Sequence, residues 1–246
     1  MKTGIIGAVA QEVELLFEAL SASGHPVKIS RKGSLEFREG VLSGERVVVV
    51  CCGVGKVNAA LCAQILISAY AVERIVNTGS AGALDERLAV YDLVVSTDLV
   101  QHDFDTTAFG YEPGRIPGMD SLSFAADPLL HEIALVAFMA LREHRPDSNV
   151  ELKMLEGRIA SGDVFVADEK LRERIRDVFS PLCVEMEGAA IAQVCQVSEI
   201  PFVIIRSVSD LAGSEATVSY EDFSREASRV SARLVIAMMT ALAERS

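Results

Sequence analysis

The chain has 246 residues, 50% of them hydrophobic, a length that suits one large α/β domain over residues 1–246 better than two small ones. Its 23 basic and 35 acidic residues leave a net charge of −12, which argues against nucleic acid or an anionic membrane surface as a partner. Five cysteines, an odd number without C-x-x-C spacing, point to buried thiols and to the cytoplasm rather than to a disulfide framework.

Met1-Lys2-Thr3 runs straight into Gly4-Ile5-Ile6-Gly7, with neither the apolar core nor the cleavage site of a signal peptide. Thr3–Val9 reads as a first strand. Gln11–Ala22 follows as a helix, with Val13, Leu16, Phe17 and Leu20 on one face. Glu36–Leu42 and Arg46–Cys51 form a hairpin through Ser43-Gly44. Gly53-Val54-Gly55 leads into a helix from about Lys56 to Tyr70, and its spacing fits neither a phosphate loop nor a dinucleotide fingerprint.

Short strands are expected over Arg74–Asn77 and Leu93–Ser96. Residues 101–125, punctuated by Gly110, Pro113, Gly114, Pro117 and Gly118, read as a long functional or interfacial loop. Asp127 caps a helix that Pro128 opens and that runs to about Glu143. Pro146-Asp147-Ser148-Asn149 reads as a surface turn, Gly157–Ser161 as a strand, and Asp168 as the cap of another helix. Ser219-Tyr220-Glu221-Asp222 reads as a capping box opening the last long helix. Helices alternating with strands imply a largely parallel, helix-covered sheet.

The chemistry concentrates where apolar strands end. Val203-Ile204-Ile205 is a buried strand that runs into Arg206, Ser207, Val208, Ser209 and Asp210. Ligands of open α/β sheets sit beyond the carboxyl ends of strands, and a carboxylate at such an apolar mouth holds its proton toward neutral pH. Val184-Glu185-Met186-Glu187 and Glu12 lie at similar junctions, so three acidic strand ends point to one acid–base site. Of Glu185 and Glu187, only one need line it.

Asn77-Thr78-Gly79-Ser80-Ala81-Gly82 reads as a turn whose glycines let the backbone approach a ligand. Ser161-Gly162-Asp163 precedes Phe165, a candidate wall for a planar ligand. His102-Asp103-Phe104-Asp105 has metal-ligand residue types but no second cluster to complete a site, so a hydrogen-bond network in the loop is expected, with neither metal nor cofactor.

Taken together, Gly4–Ala8 with Glu12, Gly53–Lys56, Asn77–Gly82, Asp105–Tyr111, Ser161–Asp163, Val184–Glu187 and Arg206–Asp210 resemble the nucleoside phosphorylase/nucleosidase superfamily. Within it the chain is similar to the 5′-methylthioadenosine/S-adenosylhomocysteine nucleosidases. The resemblance spans nearly the whole chain in family order. It implies one nucleosidase domain of nucleoside phosphorylase-like α/β/α fold, with a mixed, partly barrel-like central sheet. It also implies hydrolysis of the N-glycosidic bond of 5′-substituted adenosines, giving adenine and a 5-substituted ribose for methionine salvage.

By position, the resemblance makes Asp210 the general acid at adenine N7, with Ser209 orienting it. Glu12 becomes the residue that activates water, with Ser80 and Arg206 beside that water. Glu187 would bind the ribose hydroxyls and Met186 would lie under the sugar. Phe165 would stack on adenine and Val166 would offer its main chain to the purine edge. Tyr220 and Phe109 would flank the 5′ group, with Phe109 supplied by the second subunit of a homodimer. Ala10-Gln11 departs from the acids that the family often has there, and Val166 is a small aliphatic exchange that leaves a backbone contact intact.

Two rivals share that fold. A phosphorylase needs cations near the first strand-to-helix loop, yet Ala8–Glu12 contains no Lys or Arg and carries an acid. A non-catalytic nucleoside sensor has no need of all three acids, Glu12, Glu187 and Asp210.

Overall fold

A computed structural model of the chain describes residues 1–143, 152–213 and 216–245. The expected turn at Pro146–Asn149 lies outside the described residues. In chain order the elements are β1 (Lys2–Gly7), α1 (Ala10–Ala22), β2 (Lys28–Lys32), β3 (Leu35–Leu42), β4 (Glu45–Cys51), α2 (Lys56–Tyr70), β5 (Arg74–Ala83) and β6 (Leu93–Gln101). There follow a 3-10 turn (Thr107–Phe109), β7 (Phe124–Ala125), α3 (Pro128–Glu143), β8 (Met154–Ser161), α4 (Glu169–Phe179), β9 (Cys183–Glu185), α5 (Gly188–Val197), β10 (Phe202–Asp210) and α6 (Ala216–Glu244).

The strands make one continuous mixed sheet in the order β10-β6-β8-β9-β5-β1-β4-β3-β2, with β7 added to β6. β10 also pairs with β5 in parallel, from Phe202 opposite Ile75 to Asp210 opposite Gly82. That pairing closes β10, β6, β8, β9 and β5 into a barrel, from which β1, β4, β3 and β2 extend as an open sheet. Parallel pairs such as β1–β4 occur beside antiparallel ones such as β5–β9, so the sheet is mixed rather than largely parallel.

Period-two alternation divides the core between two faces. Ile6, Val48, Val50 and Ile204 pack on one side with Ala59, Cys62 and Leu66 of α2 and Ala189 and Ile191 of α5. Ile5, Val47, Val49, Val203 and Ile205 pack on the other with Leu16 of α1, Ile133 of α3 and Leu234 of α6. This is the expected α/β/α arrangement. All five cysteines are free thiols, and burial pushes the Cys52 and Cys62 thiols up. Among the described residues no helix is long and apolar enough to cross a membrane.

Two expectations need correction, and one strand was not expected. Asn77–Gly82 is not a turn: β5 continues to Ala83, every residue of it buried, because β1, β10 and β9 all take its backbone hydrogen bonds. Ser219–Asp222 does not open the last helix, because α6 already begins at Ala216. β2 has no expected counterpart; it is an edge strand with a largely exposed burial pattern, so it lacks the buried alternation that marks a strand in sequence.

Candidate active site

One cavity of about 250 Å³ gathers the acidic strand ends. Its walls come from the segment after β1, the end of β5, the segment after β8, the β9–α5 junction, the end of β10 and the first turns of α6. Glu12, Ser80, Phe165, Val166, Met186, Glu187, Ser209, Asp210 and Tyr220 all line it. Arg206 and Phe109 do not.

Glu12 stands in the first turn of α1 and bends back over its own helix start. Its Oε2 accepts the N–H groups of Ala8 (2.6 Å) and Val9 (3.2 Å), and its Oε1 accepts that of Ser80 (3.1 Å). Helix N-termini favour negative charge at such a position. Burial raises the pKa of this carboxyl, against the Arg206 charge and the three N–H donors, which favour its ionised form. The result is a carboxylate held by three N–H groups and more basic than an exposed one.

Asp210 ends β10, just past a register shift in the β5–β10 pairing that turns the strand end. The Ser209 hydroxyl donates to its Oδ2 at 2.9 Å, and the Ala212 N–H donates to its Oδ1 at 2.9 Å. Burial raises its pKa as well, opposed only by these two hydrogen bonds. With fewer donors than Glu12 and no cation among its causes, Asp210 is the better placed of the two to keep a proton.

Glu187 immediately precedes α5 and accepts the Gly55 N–H at 2.8 Å. Its pKa is pushed up to about 8, first by burial and then by neighbouring Glu185, against Arg206 and the Gly55 N–H. Glu185 lines the cavity too, so both acids of this pair belong to it. Glu185 faces inward: it accepts the N–H groups of Glu187 (3.0 Å) and Gly188 (2.8 Å), the Ser161 hydroxyl and the Arg206 guanidinium.

Arg206 sits one layer back from the cavity lining. It lies behind the cavity wall, wholly buried, donating to Asn77 Oδ1 (2.5 Å), the Ile205 carbonyl (3.0 Å) and Glu185. Burial opposes its charge, but Glu185, Glu12 and Glu187 more than offset that and raise its pKa. It therefore supplies one buried positive charge to three carboxylates without touching the cavity surface.

The cavity's apolar wall is aromatic. The Phe165 and Tyr220 rings meet edge to face, 5.7 Å apart at 75°. The adjacent Val166 carbonyl accepts the Gly213 N–H at 3.0 Å, tying the segment after β8 to the segment after β10. Phe109, in the 3-10 turn, is 82% exposed. Among the described residues no cluster of three metal-ligating side chains occurs.

The sequence by itself assigns no role to Gly55 or to Asn77. No local pattern could reveal that the Gly55 N–H serves Glu187, because the two are 132 residues apart. The sequence required only one of Glu185 and Glu187 to line the site, and the structure places both there.

A barrel closed by β5 and β10, with buried acids at its strand ends, has clear relatives. The chain belongs to the phosphorylase superfamily, whose family model matches residues 2–240. Within that superfamily it is similar to nucleosidases. It is 45% identical, over 98% of its length and 94% of the other protein's, to the 5′-methylthioadenosine/S-adenosylhomocysteine nucleosidase of Treponema pallidum (strain Nichols). The crystal structure of such a nucleosidase from Colwellia psychrerythraea 34H in complex with adenine has a TM-score of 0.91 at 40% identity, covering 98% of this chain and 96% of that one. The Neisseria meningitidis nucleosidase, in complex with methylthio-immucillin-A, has a TM-score of 0.90 at 39% identity, covering 97% and 98%.

Proposed function

We propose that this chain is an N-glycosidic hydrolase acting on 5′-methylthioadenosine, S-adenosylhomocysteine and related 5′-substituted adenosines. It releases adenine and a 5-substituted ribose, a step of methionine salvage. The observation that carries this reading is that Glu12 and Asp210, from opposite ends of the chain, open into one cavity with Glu187 between them in sequence and beside them in space. The nucleosidase relatives, one of them holding adenine, support it.

In this reading Asp210, protonated, donates to adenine N7 as the bond from C1′ to N9 breaks, and Ser209 orients the carboxyl. The proton neutralises the departing base. The sugar becomes oxocarbenium-like, and the surrounding carboxylates stabilise its positive charge. Glu12, beside Ser80, takes a proton from the attacking water, whose oxygen bonds to C1′. Burial raises the pKa of Glu12, which makes it a stronger base than an exposed carboxylate. Glu187 accepts hydrogen bonds from the ribose hydroxyls and Met186 packs under the sugar. Phe165 stacks on the purine and the Val166 main chain meets its edge. Arg206 keeps the acids poised from behind.

Tyr220 flanks the 5′ substituent. The reading completes that end with Phe109 from a second copy of the chain in a cytoplasmic homodimer. Support for a dimer is the exposed apolar side chains on neighbouring helices, Val57 (79%) of α2 and Val197 (68%) of α5, which line one shallow groove.

Adenine release from both substrates, with and without phosphate, tests the reaction class. The expected product is the free 5-substituted ribose in phosphate-free buffer. Cleavage that requires phosphate and yields a ribose 1-phosphate overturns hydrolysis.

A further inference from the structure

Three motifs remain outside the chemistry: Gly53–Lys56, His102–Asp103 and Gly162–Asp163. The structure joins them in a closed ring of hydrogen bonds. The Lys56 N–H donates to Asp163 Oδ1 at 2.7 Å. The Asp163 N–H donates to Asp103 Oδ2 at 2.8 Å. Lys56 Nζ closes the ring on Asp103 Oδ1 at 2.6 Å and also reaches Gln101 Oε1 at 3.1 Å. The ring clamps together the start of α2, the segment after β6 and the segment after β8. Its close fit dictates a glycine at position 55: φ is +99°, and a β-carbon there would meet Asp163 Oδ1 at 3.1 Å.

The cavity begins on both sides of this ring. One residue before Lys56, the Gly55 N–H holds Glu187 Oε1 at 2.8 Å. One residue after Asp163 begins Val164-Phe165-Val166, which lines the cavity. We propose that Lys56, Asp103 and Asp163 form a positioning clasp. It sets the ribose-facing carboxylate and the purine-facing segment in one fixed relation. The clasp touches no reacting atom. The ring holds its three segments together through charge-assisted bonds, because both Asp103 oxygens and Asp163 Oδ1 each take a backbone or ammonium donor. The proposal rests on the nucleosidase reading.

The test is the kinetics of Lys56→Met and of the shape-conserving Asp103→Asn, with adenine binding measured by calorimetry. Each variant should raise KM about tenfold while kcat stays within about threefold, the pattern of lost binding geometry rather than lost chemistry. Adenine, which needs only the purine end, should bind more weakly too. Lys56→Arg, which keeps the cation, should recover most of the loss. Combined with Glu187→Gln, Lys56→Met should cost less than the sum of the two single changes, since both act on one carboxylate.

An unchanged KM in both variants overturns the clasp, and so does strict additivity with Glu187→Gln. A loss that tracks subunit dissociation by light scattering also overturns it, because the defect would then belong to an interface. Absence of adenine release by the unaltered chain strikes the nucleosidase reading itself, whereas calorimetric binding of adenine reports on the clasp independently.

Discussion

Gly79 lies directly beneath the Glu12 carboxylate: a β-carbon at position 79 would come within 2.5 Å of Oε1 and 2.9 Å of Cδ. The strand passes under the acid with no room for a side chain. The next residue, Ser80, gives Glu12 its N–H. Further along the same strand, a β-carbon on Gly82 would meet Asp210 Oδ1 at 2.7 Å. β5 is thus the floor on which both carboxylates rest, and its two glycines are the gaps that admit them.

Gly79→Ala should therefore displace Glu12. The carboxylate cannot swing aside without losing N–H donors from Ala8, Val9 and Ser80. We expect turnover to fall by about 10²-fold or more, the range for general acid–base groups, with overpacking costing about 1–3 kcal/mol of stability. Steady-state kinetics with thermal unfolding checks this. Full activity in a folded Gly79→Ala protein would show that Glu12 needs no fixed position.

Asp210→Asn keeps the shape and most hydrogen-bonding capacity but cannot deliver an acidic proton. Turnover should drop by about 10²–10⁴-fold while adenine binding persists within a few-fold. Wild-type kcat should also decline on the alkaline side as Asp210 loses its proton, at a pH above that of an ordinary aspartate because burial raises its pKa. A pH–rate profile that is flat on the alkaline side, or an active Asp210→Asn protein, removes it as the acid.

Glu187 makes stability depend on pH. Its folded pKa of about 8 lies above the ordinary 4.5, so the folded protein holds this proton more tightly than the unfolded chain. The corresponding stability is complete below the ordinary value and is lost as pH rises through about 8. Glu187→Gln should therefore raise the midpoint of thermal unfolding relative to wild type more at about pH 9 than at about pH 5. An equal difference at both pH values means that burial does not shift this group.

Phe109 is so exposed in the isolated chain that its truncation should leave stability unchanged within about 0.5 kcal/mol. If a second copy brings it to the 5′ end of the substrate, Phe109→Ala raises KM for methylthioadenosine several-fold with little change in Tm. Light scattering should report two chains per particle. A monomer of full activity, or an unaffected KM, detaches Phe109 from the site.

Much of this molecule was legible in its residues. The α1 stripe, the β3–β4 hairpin, the bounds of α2 and the caps at Asp127 and Asp168 follow from local periodicity and turn chemistry, and each appears where expected. The acids at strand ends were visible because carboxylates interrupting apolar runs are costly unless a site uses them. What stayed hidden depends on which strands become neighbours. Asn77–Gly82 is rich in small polar and glycine residues, a local turn signal, yet pairing with β1 and β10 makes it buried strand. The partners of the Arg206 guanidinium, Asn77 and Glu185, are remote in sequence and were not legible in it. Local pattern encodes each element and the face it buries. Barrel closure, and with it the grouping of Glu12, Glu185 and Glu187 around one cation and of Asp210 in the same cavity, arises only when the ends of the chain pair across β5, since backbone hydrogen bonding between strands carries no signature in either strand alone.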